Sequence, residues 1–292
     1  MRRPPRNVGA SVRARLLRLS NQRNEPFDLL LTQYALERLL YRLSISNERD
    51  RFILKGAMLM RHWLDDPHRP TRDLDLLGFG DSNPDVTLAA FKEICAITAD
   101  DGVIFEVDEL TVDRIRDESE YGGVRLKTYA IVDGARVRVI VDIGYGDAIE
   151  PGLAEVLLET LLGQPAPKLR AYPPETVIAE KFQAMVILGL ANTRLKDFYD
   201  IWILAKTHQF PDDRLVRAIA ATFARRKTAI PTEPPDALTP AFAADPTKQQ
   251  QWASFIQNVA TNPGALSDVV ETLAAFLMPH AKGAQLTQRR DP

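Results

Sequence analysis

Cysteine is all but missing from this sequence: Cys95 stands alone among 292 residues. One thiol closes no internal disulfide, so the fold must rest on its core, and the chain suits a reducing compartment. Histidine is nearly as scarce. Its four copies, His62, His68, His208 and His280, lie scattered without the spacing of zinc ligands, which argues against zinc hydrolysis. No apolar run approaches the ~20 residues that cross a bilayer, and the N-terminus lacks the apolar segment of a secretory signal. A cytoplasmic location is the expectation. No internal repeat is found either.

What is present is ordinary globular material, 45% hydrophobic and 26% charged. Its length allows one large or two medium domains. The net charge of −2 conceals an asymmetry: residues 1–24 hold Arg2, Arg3, Arg6, Arg13, Arg15, Arg18 and Arg23 with no acid, so the remainder carries −9. A basic arm on an acidic body could attract a phosphate backbone, although a solvated terminus or a transit leader has the same composition.

The informative stretch is residues 52–79. Phe52 to Leu54 reads as a short buried strand ending at Lys55-Gly56, and Ala57 to Leu64 reads as a helix. Pro67 and Pro70 then break the chain before an apolar strand over residues 73–79 that contains both Asp73 and Asp75. Side chains two apart in a strand share a face, so these carboxylates point together while Leu74 and Leu76 point the other way. Like charges that close repel, and removing them from water is costly unless a cation lies between them. Such hard oxygen donors suit Mg²⁺, which takes one or two protein carboxylates and completes its shell with water and phosphate. Gly56 allows close backbone approach to a ligand, and the helix start after it favours an anion.

Elsewhere the patterns are simpler. Residues 11–20 and 27–43 read as amphipathic helices, as does Pro84 to Ala99 with Leu88, Phe91, Ile94 and Cys95 inward. Val103 to Val107 reads as a strand. Gly123 to Val132 and Ala135 to Ile143 flank Asp133-Gly134, a hairpin signal. On its second arm Ala135, Val137, Val139 and Val141 share one face, with Arg136, Arg138, Ile140 and Asp142 on the other. Asp147 reads as a turn residue after Gly146. The four prolines of residues 163–174 suggest a linker. A helix opening at Pro173-Pro174-Glu175-Thr176 carries an apolar stripe, with Lys181 beside Glu180. Arg194 starts another helix, on which Asp197 and Asp200 share a face. Arg214 to Thr228 reads as a helix ending in Arg225-Arg226-Lys227, whose basic end suits a helix C-terminus. Residues 231–246 look like a proline-rich linker. Residues 247–260 and 265–277 read as helices, and the last dozen residues as a loose tail.

Four ordered motifs carry a resemblance: Leu54-Lys55-Gly56-Ala57 followed by Arg69-Pro70-Thr71-Arg72-Asp73-Leu74-Asp75-Leu76; Val141-Asp142-Ile143-Gly144-Tyr145-Gly146-Asp147; Ala179-Glu180-Lys181-Phe182-Gln183-Ala184-Met185; and Asn192 to Asp200. The chain resembles the nucleotidyltransferases of the DNA polymerase β superfamily, and more narrowly the AbiEii/AbiGii toxin family, over roughly residues 50–205. One departure is Gly56-Ala57, where the superfamily commonly has Gly-Ser or Gly-Gly; phosphate contact there falls to the backbone.

The resemblance implies an α+β fold, a polymerase β-like mixed sheet with flanking helices followed by a helical C-terminal region. The expected organisation is an N-terminal helical arm (1–50), a catalytic domain (51–162) and a helical C-terminal domain (163–292) contributing Lys181 and Asp197/Asp200. It implies a Mg²⁺-dependent toxin of a toxin–antitoxin system, moving NMP from an NTP to an RNA acceptor such as tRNA with release of pyrophosphate. A cognate antitoxin would be its partner, and no membrane is involved. Asp73 and Asp75 would hold metal with Asp142 as a third ligand, unless Asp142 is an ion-pair partner of Arg138 or Arg136. Lys55, Gly56, Ala57, Arg69, Thr71, Arg72 and Arg194 would contact nucleotide. Lys181 would be the motif lysine rather than a solvated or Glu180-paired one. Asp197 and Asp200 would be functional acids rather than surface partners of Arg194 and Lys196.

Two alternatives stand beside this. A haloacid-dehalogenase-like phosphatase also uses Asp-x-Asp, but at the C-terminal end of an apolar strand, whereas here the apolar residues follow the acids. A non-catalytic nucleotide-binding or antitoxin-like module could retain the fold without turnover, although the intact acids and Lys181 weigh against it.

Overall fold

A two-residue turn sets the register of the central sheet. The structure, a computed structural model, describes residues 7–64, 72–115, 122–257 and 259–288. Asp133 and Gly134 have φ of 48° and 78°, the paired positive values that a type I′ hairpin requires. They join β5 (Gly123–Val132) to β6 (Ala135–Tyr145), whose partners run unbroken from Val132↔Ala135 to Gly123↔Gly144. With a side-chain period of two, Val124, Leu126, Val139 and Val141 fall on one buried face.

Further strands add on both sides. β2 (Asp73–Gly78) runs parallel to β6, and β1 (Phe52–Lys55) runs antiparallel to β2. β8 (Lys168–Ala171) lies parallel to β1, with β7 (Ala154–Leu157) beyond it. Along the other edge of β5, β3 (Val103–Phe105) and β4 (Thr111–Ile115) sit end to end. Strand β8 lies inside the stretch read as a linker. Its Leu169 and Ala171 are sealed in the core, so the prolines bound a strand instead of replacing one.

The described residues form two compact units. The first takes those within 7–62, 72–146 and 155–171; the second takes 63–64 and those within 147–154 and 172–288. In the first unit, α1 (Val8–Arg23), α2 (Phe27–Ile45) and α4 (Pro84–Ala96) pack on the sheet. Asn7 caps α1 by accepting from the Ala10 N–H, and Asn83 caps α4 through Asp85. The basic arm is therefore a docked helix where it is described: Arg13 donates to the Asp133 carbonyl and Arg15 to that of Leu162. Within α2, Arg42 is sealed and clamps Asp101 through two bonds of 2.7 and 3.1 Å, fixing the loop after α4. Cys95 is buried in α4 as expected, and burial pushes its thiol up to about 12.

The second unit is helical: α5 (Pro174–Leu188), α6 (Leu195–Thr207), α7 (Asp212–Arg225), α8 (Pro240–Ala244), α9 (Pro246–Ile256) and α10 (Leu266–Gln288). Two sequence readings change here. The proline-rich stretch 231–246 is packed, with Leu238 and Phe242 buried and Phe242 stacked on Phe198 at 5.2 Å. The expected loose tail is helix to Gln288, anchored by Ala281 and Ala284 in the core. Among the described residues no helix is long and apolar enough to cross a membrane. The mixed sheet with flanking helices and a helical C-terminal region is the fold that the resemblance implied.

Candidate functional site

Register alone assembles a row of charges across four strands of the first unit. Lys55 on β1 pairs with Asp75 on β2, Asp75 with Asp142 on β6, and Asp142 with Arg125 on β5. Paired neighbours in a sheet point to the same side, so the row reads plus, minus, minus, plus. Asp73, two residues before Asp75, shares that face and is exposed. The opposite face is the one closed by the core.

Asp142 is held by a residue that the sequence reading did not weigh. Arg125 Nε and Nη2 donate to its two carboxylate oxygens, each at 2.7 Å. Neither Arg138 nor Arg136 takes this part: Arg136 pairs instead with Glu106 at 2.7 Å. The side chains remain accessible, 42% for Arg125 and 23% for Asp142. Bonding to Asp142 and its charge, with the Asp73 and Asp75 charges beyond it, hold the Arg125 guanidinium above its usual range. The signal was available, since eight residues out from the turn on each arm bring Arg125 opposite Asp142.

Gly56 explains itself at this site. Its φ is +74°, and a Cβ built on it would lie 2.0 Å from Asp75 Oδ2. No other residue type fits there, so the backbone between β1 and α3 (Ala57–Trp63) passes directly over the Asp75 carboxylate. Ala57, buried, opens that seven-residue helix. Arg72 is exposed and bonded to Asp28 at 2.7 Å. Arg69 and Thr71 lie outside the described residues.

The donor chemistry fits a divalent cation. Asp73 and Asp75 offer hard oxygens on one accessible face, the type and number Mg²⁺ takes from protein. Among the described residues no three His, Cys, Asp or Glu side chains gather into a metal-holding group. Asp142 stands beside Asp75 in register, but its carboxylate is committed to Arg125.

The second unit carries a cluster of its own. Lys181 Nζ on α5 sits 2.5 Å from Asp197 Oδ1 and 2.9 Å from Asp200 Oδ2 on α6. Asp200 is sealed and Asp197 nearly so. The two acids thus bind the motif lysine instead of Arg194 or Lys196. Arg194 is exposed at the N-cap of α6. Glu180, one residue before Lys181, faces Arg226 at 3.3 Å. Arg226 also donates to Asp147 at 3.2 Å and to Gln183 at 3.0 Å. Asp147, read as a turn residue, and Arg226, at the basic C-terminal end of α7, are therefore parts of one polar network.

Comparison with known proteins agrees with these motifs. Residues 38–275 match the family model described as nucleotidyl transferase AbiEii toxin, type IV TA system. No curated protein matches the chain. Two solved structures from Helicobacter pylori are similar. One, described as a candidate nucleotidyltransferase, has 18% identity and a TM-score of 0.46, over 90% of this chain and 97% of its own. The other, JHP933, has 17% identity and a TM-score of 0.45, over 90% and 94%. The family match spans most of the sequence, and the chain belongs to the AbiEii nucleotidyl transferase toxin family of type IV toxin–antitoxin systems.

Proposed function

We propose that this toxin-family nucleotidyltransferase is Mg²⁺-dependent and transfers NMP from an NTP to an RNA acceptor such as tRNA, releasing pyrophosphate. The family implies an antitoxin partner. One observation carries the reading: Asp73, Asp75 and Asp142 share one sheet face, Asp75 and Asp142 as register partners, with the Gly56 backbone pressed over Asp75. That is a place for a cation with phosphate beside it.

When bound, Mg²⁺ supplies charge stabilisation to the triphosphate and to the attacking hydroxyl of an in-line displacement. Asp73 and Asp75 would hold it, with Asp142 as the third ligand once its carboxylate is released from Arg125. Backbone N–H groups at Gly56 and Ala57 hold phosphate oxygens, since Ala57 brings no hydroxyl. The family resemblance assigns Lys181 to the charge of the departing pyrophosphate; within its own unit its ammonium is held by Asp197 and Asp200. The acceptor brings the nucleophile, so the protein's part is positioning and electrostatics.

Incubation with each labelled NTP, Mg²⁺ and total RNA tests this directly. Label should enter RNA with one NTP, and Asp73→Ala should lower the rate by about 100-fold or more. Nucleotide binding without incorporation would favour the non-catalytic module. In cells, expression should arrest growth and Asp73→Ala should relieve it; equal arrest by both forms counts against an enzymatic toxin.

A further inference from the structure

Arg125 presents a contradiction to the site just proposed. The third carboxylate is already neutralised by a cation of the chain's own, through two 2.7 Å bonds. Carboxylates on neighbouring strands, about 5 Å apart, repel by roughly 3 kcal/mol at an effective dielectric of about 20. Without Arg125, Asp142 would stand beside Asp75 without the guanidinium that now balances it. With it, the local balance is close to even: Lys55 and Arg125 against Asp73, Asp75 and Asp142. A dication entering alone would turn a small negative excess into a positive one. A dication entering with a triphosphate would not.

We propose that Arg125 is a placeholder cation that couples metal loading to nucleotide binding. In the free protein it keeps Asp142 from ligating; when metal and nucleotide arrive together, the guanidinium passes from Asp142 to a nucleotide phosphate. Three features support the exchange. The same fork of N–H donors that fits a carboxylate fits a phosphate. Asp142 engages only Nε and Nη2, leaving Nη1 outside the pair. The pair is also accessible to solvent, so the exchange opens no buried charge. Arg125 is on this account a positioning residue for the metal site, and the inference rests on the nucleotidyltransferase reading.

Mn²⁺ binding measured by calorimetry, with and without each of the four α,β-methylene NTP analogues, separates the two. Wild type should bind Mn²⁺ weakly alone and about tenfold or more tightly with the cognate analogue, a coupling of about 1.4 kcal/mol or more. Arg125→Met should bind Mn²⁺ alone about tenfold more tightly than wild type, and the gain from the analogue should shrink. Arg125→Lys, which keeps the charge without the fork, should fall between and guards against a folding defect in the methionine variant. If all three proteins bind Mn²⁺ alone equally, while binding it tightly with analogue, the role of Arg125 is overturned and the enzyme reading stands. If none binds Mn²⁺ under either condition, both fall.

Discussion

Replacing Gly56 by alanine strains both the backbone and its neighbour. A positive φ costs an L-residue about 1–2 kcal/mol, and the new Cβ would displace the Asp75 carboxylate. Gly56→Ala should therefore fold with a midpoint lowered by roughly 2–8 °C yet lose transferase activity as deeply as an Asp75 variant. A thermal melt beside the labelled-NTP assay checks both, and full activity would show that the cradle tolerates a side chain. The acids around Lys181 should separate by burial. Asp200→Ala removes the fully buried one of the two acids on Lys181, which keeps Asp197, and should cost about 1–3 kcal/mol, with Asp197→Ala costing less; denaturant unfolding gives the order. Cys95 makes a pH prediction. Its native thiol is raised to about 12 from an ordinary 9.0, so its contribution to stability is complete below pH 9 and fades as pH rises towards 12, where the unfolded chain releases a proton that the native one keeps. At pH 8.5 a thiol reagent should label the native protein slowly and the unfolded protein at once. The residues that sequence made legible, Asp73 and Asp75, were visible because strand period alone makes them neighbours. Arg125 was hidden for the opposite reason: it acts across strands, and needs the hairpin register to be counted out.

At the scale of elements, tight turns and buried clamps set what can move. Gly134 has φ of 78°, and Gly134→Val should weaken the hairpin by about 1–2 kcal/mol and loosen the pairing that sets Arg125 opposite Asp142; amide exchange along β5 and β6 reads this out. Asp101→Ala should be harsher, about 3–5 kcal/mol, because it strands Arg42 in the core. Helices and the hairpin were readable from sequence because they are long and strongly patterned. Strands β4, β7 and β8 were not, and the cause is physical: each sets charged residues among its apolar ones, whereas the equally short β1 and β3 stand out as apolar runs. Lys168-Leu169-Arg170-Ala171 alternates properly, but the neighbouring prolines spoke louder than its two core residues. The packed 231–246 segment was missed likewise, since proline opens its short helices without forbidding burial.

For the molecule as a whole, the position of β1 has a consequence in synthesis. One edge of this strand is satisfied by β2, some 20 residues downstream; the other waits for β8, which ends at residue 171. While a ribosome is still translating the residues between, the nascent chain carries a bare, apolar strand edge, Phe52-Ile53-Leu54, open to any passing polypeptide. A product stopped at residue 160 should therefore collect in the pellet on expression. Timing as well as sequence then governs how safely a cell makes this protein, because the sheet cannot be completed before β8 has left the ribosome.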